Sequence, residues 1–153
     1  VGVAAGLTCL VLVGIATWQA PRSSRALAAA LASGMEPQDR VAMVDDYLYD
    51  VPFYARLARP VWLVGDWSDP DIPRRDNWRK EIFDAARFDP AMGREVLRPL
   101  TDIDRLACGA ARSVWFVVGT GRAAGVAAQP GAQRRYADSR HELWRVPGRP
   151  ACN

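Results

Sequence analysis

The sequence predicts a small open α/β sheet, mostly parallel and Rossmann-like, with helices on both faces and one transmembrane helix before it. Three observations carry this. RVAMV, PVWLV and SVWFVV are short, nearly unbroken apolar runs, the pattern of strands buried on both faces of a parallel sheet. Stretches with helical spacing separate them, giving strand–helix–strand alternation. The first segment, VGVAAGLTCLVLVGIATW (Val1 to Trp18), contains no charged residue.

As a helix, that first segment is about 27 Å long at ~1.5 Å per residue, close to the ~30 Å hydrocarbon core of a bilayer. Trp18 and Gln19 stand where an interfacial anchor is expected, and Pro21 stops the helix. A signal peptide calls for a basic start and a small-residue cleavage site, and a buried soluble helix of this length calls for some polar face. A membrane span at residues 1–20 is therefore expected. Because the chain begins with Val1, it is read as the last span of a longer protein. Arg22 and Arg25 lie just beyond, in reach of lipid phosphates. Residues 21–153 are of a size for one domain with one core.

Ser23 or Ser24 is placed to cap a helix to about Ala32, with Leu27 and Leu31 on one face and Gly34 ending it. RVAMV follows as the first strand, then a short helix or turn from Tyr47 to Leu57, with Asp50 as its N-cap. PVWLVGD is the second strand, and SDPDIPRRD a loop. A helix is expected over Asn77–Arg87, with Trp78, Ile82 and Ala85 or Ala86 on one face, and another over Ile103–Ala110. SVWFVVG is the third strand. GTGRAAGVAAQPGAQ reads as a flexible loop, and HELWRV as a last, antiparallel edge strand.

The charge of +3 is modest and its basic residues are scattered, arguing against a nucleic-acid partner. Lys80 is the single lysine among the cations. Cys9 falls in the apolar span, leaving Cys108 and Cys152, which can bridge where the domain lies outside the cytoplasm. Without CxxC or CxxxH spacing, structural zinc is not expected.

Asp45, Asp46 and Asp66 fall at the carboxyl ends of the first two strands, where open α/β sheets bind ligands. Asp69 and Asp71 follow, enough carboxylates to hold a cation. The plainer reading, that aspartate solvates a strand end and caps the next turn, is the stronger one. Tyr47, Tyr49, Phe53, Tyr54, Trp62, Trp67 and Trp78 make the first half aromatic. Sugars stack on such faces, although Phe53, Trp62 and Trp78 equally suit a small core. GTGRAAG has the spacing G-x-G-x-x-x-G, which departs from the dinucleotide fingerprint, so no nucleotide is expected. His141 is the only histidine. Standing far from any predicted nucleophile, it is expected in a packed or solvated role.

DRVAMVDDYLYDVPFYARLARPVWLVGDW and DIDRLACGAARSVWFVVG resemble the carboxyl-terminal soluble domain of bacterial polytopic glycosyltransferases of the protein O-mannosyltransferase/aminoarabinose transferase type. With the apolar first segment and the helix after it, the resemblance covers about half of the chain. It implies an enzyme of the inner membrane that moves a sugar from a polyprenyl-phosphate donor to an envelope acceptor. The donor would be held among membrane helices, and an acidic residue in an early extracytoplasmic loop would act as base or metal-associated group. Those parts lie outside this sequence, so no catalytic residue is carried over. No cofactor is expected in this chain, and a divalent metal belongs to the membrane part. Asp45, Asp46, Tyr49, Asp66 and Trp67 are the candidate acceptor-path or sheet-edge residues, facing the periplasm or cell exterior. The competing reading is a single-span anchored, non-enzymatic α/β module that binds envelope carbohydrate or a protein partner. A third is a nucleotide-dependent enzyme using Gly119 to Gly125.

Overall fold

A computed structural model describes residues 23–108 and 112–150. The proposed span at 1–20 and Cys152 lie outside them. In chain order the elements are α1 (Arg25–Gly34), β1 (Arg40–Val44), α2 (Asp50–Tyr54), β2 (Trp62–Val64), α3 (Trp78–Phe88), α4 (Pro90–Val96), β3 (Leu97–Arg98), α5 (Ile103–Leu106), β4 (Val114–Gly119), α6 (Ala124–Ala127), β5 (Gln133–Ala137) and β6 (His141–Val146). The six strands form one sheet in the order β3-β2-β1-β4-β6-β5. β3, β2, β1 and β4 pair in parallel, and β6 runs antiparallel to both β4 and β5.

The period-2 alternation of the strands divides the core in two. Val41 and Met43 of β1, Leu63 of β2, Trp115 and Val117 of β4 and Leu143 of β6 face one side, packed with Leu27, Ala28 and Leu31 of α1 and Val51 of α2. Ala42 and Val44, Val64, Val114, Phe116 and Val118, and Val146 face the other, with Ile103 and Leu106 of α5 and Val126 of α6. Helices thus cover both faces, as the buried strand runs require. The crossovers obey one rule. From β1 the chain steps outward to β2 and β3 with its helices on the first face. It then returns past β1 to β4 with α5 on the second, because a constant crossover hand demands a change of face when direction reverses. Each fully buried Leu or Val contributes roughly 1.5–3 kcal/mol.

The amino edge of the sheet is held by Asp39, 2% exposed. Its carboxyl group accepts from Ser113 N (3.0 Å), Trp115 Nε1 (2.8 Å) and Glu36 N (3.1 Å), so both oxygens of a buried polar group are hydrogen-bonded. Gly34 ends α1 against the same Trp115. A Cβ there would lie 2.7 Å from the indole.

Several expectations are corrected. HELWRV is antiparallel but interior, because the charged segment Gln133–Ala137 takes the edge outside it, with a register slip between Arg134 and Tyr136. The opposite edge is β3, two residues long. The Gly119–Gln133 stretch is no featureless loop: it contains α6, whose Val126 is 1% exposed. α5 ends at Leu106. Phe53 is not core but 78% exposed. Asp50 does not cap α2: its carboxylate accepts from Ser24 N at 2.8 Å, tying the start of α1 to α2. Cys108 is disulfide-bonded, through a partner outside the described residues. No helix among the described residues is long and apolar enough to cross a membrane.

Candidate functional site

The strand order reverses between β1 and β4, and their carboxyl ends open the crevice where such sheets bind ligands. Asp45 and Asp46 leave β1 there, with Asp45 in the left-handed region at φ 53°. That turn sends the two successive carboxylates to different partners. Asp46 Oδ2 lies 2.9 Å from His141 Nε2, and its other oxygen accepts from Tyr47 N at 2.8 Å. Asp45 faces Arg79 at 3.6 Å.

His141 takes the packed alternative, with a carboxylate from a distant part of the chain as its partner. β6 runs against β4, with His141 opposite Gly119, so the first residue of β6 arrives at the carboxyl end of the parallel strands. The hairpin before it is locked by Asp138, whose Oδ1 accepts from Arg140 N and His141 N, both at 2.8 Å. Partial burial works against ionisation of Asp138, but these N–H donors and the Tyr136 hydroxyl outweigh it and hold the carboxyl below its usual range. His141 is 8% exposed. With Nε2 bonded to Asp46, the pair joins the β5–β6 hairpin to the β1–α2 loop.

Beside it, Arg79 organises a second group. Its guanidinium lies over Trp67 at 5.4 Å and Trp78 at 5.7 Å, and donates to the Asp66 carbonyl at 3.1 Å. α3 supplies both Trp78 and Arg79 because Asn77 caps it, accepting from Arg79 N and Lys80 N. The cation–aromatic stack brings together Asp45, Asp66 and Trp67, three of the residues expected at the sheet edge. Gly65 permits it: a Cβ there would lie 2.7 Å from the guanidinium. Asp66 Oδ1 accepts from the Ser68 hydroxyl (2.6 Å) and N–H (3.1 Å), which lower its pKa. Trp67 Nε1 donates to the Leu63 carbonyl at 2.9 Å. A cleft of about 590 Å³ opens alongside, with Trp67, Leu97, Pro99 and Leu100 as its apolar wall and Asp66, Ser68 and Thr101 as its polar groups.

Tyr49 reaches the same group through Tyr47, whose ring lies 4.4 Å from its own and 6.4 Å from Trp78; it is half-exposed, its hydroxyl donating to Glu81 Oε2 at 2.7 Å. Desolvation of the hydroxyl, then the Glu81 hydrogen bond and charge, push its pKa up to about 12. The alternative of a cation-holding carboxylate cluster does not assemble among the described residues. Asp69 and Asp71 are paired with Arg75, and Asp71 also with Arg74, and no metal-suited group of three or more His, Cys, Asp or Glu occurs among the described residues. Arg79, Glu81 and His141 are the members of this edge that sequence reasoning missed.

Known structures bear directly on this architecture. ArnT from Cupriavidus metallidurans bound to undecaprenyl phosphate matches over 87% of this chain, with a TM-score of 0.59 and 16% identity. Its apo form matches over 85%, with a TM-score of 0.55 and 15% identity. The chain shares the fold of one part of ArnT. It spans about a fifth of the ArnT chain, 21% in both structures. ArnT is an aminoarabinose transferase, of the polytopic lipid-linked-sugar type that the sequence resembles. No protein-family model and no curated protein matches the sequence.

Proposed function

We propose that this chain is the extracytoplasmic carboxyl-terminal domain of a membrane glycosyltransferase that moves a sugar from a polyprenyl-phosphate donor to an envelope acceptor. Catalysis then belongs to membrane helices and loops outside these residues. The supporting observation is a coincidence at one sheet edge. Ser24 N is tied to Asp50, so α1 starts beside the carboxyl end of β1. The described chain therefore begins at the edge that carries Asp45, Asp46, Asp66, Trp67 and the cleft, and the segment read as a membrane span precedes it in the sequence. That edge faces the membrane and roofs the space where donor and acceptor meet. Its residues shape acceptor access and bind no reacting atom. The fold likeness to ArnT supports the reading, as does the disulfide at Cys108, a feature of oxidising compartments.

The reading frame upstream of Val1 tests this. Roughly ten further apolar spans with an acidic loop after the first are expected, on the length of a polytopic enzyme of which the domain is about a fifth. A start codon immediately before Val1 overturns it.

A further inference from the structure

Phe53 and Tyr54 are large aromatic side chains left outside the core, 78% and 37% exposed. They pack edge-to-face on each other with ring centroids 5.5 Å apart. Tyr54 also carries the Arg25 guanidinium 5.1 Å above its ring. Arg56, exposed and in the left-handed region at φ 51°, turns the chain directly after them. The acidic residue of this short helix, Asp50, is already bonded to Ser24 N. The patch is thus two aromatics flanked by two arginines.

Its position says what covers it. Arg25 is the first residue of α1, seven residues after Trp18 of the apolar segment. Arg22 adds a third cation in the sequence between them. Aromatic rings that sit at headgroup depth, beside guanidinium groups that meet phosphates, are the chemistry of a bilayer interface.

We propose that the Phe53–Tyr54 patch, with Arg25 and Arg56, seats the domain on the anionic headgroup surface of the bilayer. The seating rests on the reading of Val1–Trp18 as a span. It adds a second point of attachment, turning a domain swinging on one tether into one held at a fixed tilt, carboxyl edge down. Phe88, 94% exposed at the far end of α3, provides an internal contrast. Phe88 is the last of the eleven residues of α3, about 15 Å along the axis from Trp78 at the carboxyl edge at ~1.5 Å per residue.

The test uses the full chain carrying fluorophenylalanine at its four Phe positions, in nanodiscs of phosphatidylcholine and phosphatidylglycerol doped with headgroup-level spin-labelled lipid. Phe53→Leu assigns the resonance. The Phe53 signal is expected to broaden at least several-fold more than that of Phe88, and the double variant Arg25→Gln/Arg56→Gln to reduce the difference. Equal broadening at the two positions, or a sharp Phe53 in a chain that resists alkaline carbonate extraction, overturns the seating and leaves the proposed function standing. In a parallel preparation of vesicles of the same lipids, a chain washed off by alkaline carbonate overturns the seating together with the membrane placement assumed for that function. Phe53 shielded from water yet unbroadened in the longer protein makes a protein surface the occupant, and overturns the lipid proposal.

Discussion

Asp46 and His141 are 95 residues apart in the chain and 2.9 Å apart in the fold. Their contact is the side-chain tie between the loop leaving β1 and the hairpin that ends the sheet. Removing either side chain is expected to loosen the β5–β6 hairpin. Asp46→Ala and His141→Ala should each cost about 1–3 kcal/mol, and a double-mutant cycle should return a coupling of about 1 kcal/mol. Urea denaturation of the single and double variants measures both. Additive losses would show that the pair carries no coupling.

Tyr49 should resist ionisation. Its pKa lies near 12, above the unfolded value of about 10. The contribution is therefore fully present below pH 10 and is lost as pH rises through the folded value. Titration of tyrosinate absorbance in the protein and in Tyr49→Phe should isolate one late-ionising phenol. Glu81→Gln should move that midpoint downward while leaving it above 10, since desolvation remains. A midpoint unchanged by Glu81→Gln contradicts the assigned contact.

Acid should act first on the terminal hairpin. The Asp138 carboxyl is depressed in the folded state, so its contribution is present above the unfolded value near 4 and disappears as pH falls through the folded one. Amide exchange at Arg140 and His141 is expected to accelerate in that acid window, and Asp138→Asn to show the faster exchange already at neutral pH. Identical exchange in the two proteins at neutral pH would remove Asp138 as the lock.

Two glycines at similar Cβ distances should behave differently. Gly34→Ala forces a methyl against the fully buried Trp115 ring, 2.7 Å away. Overpacking of this kind costs about 1–3 kcal/mol and exceeds the ~0.5–1 kcal/mol gained in helix propensity. Gly65→Ala meets the far end of the long Arg79 side chain, not a buried ring. It should cost less than ~1 kcal/mol while moving the guanidinium off Trp67 and Trp78, read as a change in tryptophan emission. Equal destabilisation by the two substitutions counts against this difference.

The buried strands β1, β2 and β4 are legible in the sequence because a strand covered on both faces has few polar positions. β3 is not, since two residues leave no pattern. α4 carries a signal that went unused: Asp89 accepts from Ala91 N and Met92 N and Pro90 opens the helix, an N-cap with Pro at the first helical position. QRRYA has no apolar period because it is an edge. At the site, Asp45, Asp46 and Asp66 are found by position alone, as strand ends. Their partners are not, because Arg79 and His141 come from other elements. His141 was within reach of one further step. A strand antiparallel to a parallel neighbour delivers its first residue, not its last, to the carboxyl edge.

Both borders of the sheet are poor templates for another strand. On one side β3 offers two residues of ladder. On the other, β5 presents Arg134 and Arg135 on an irregular register. Strand addition needs a long, flat, uncharged border. Copies crowded together therefore find no rim along which to zip, and the domain can remain a separate body at high local density.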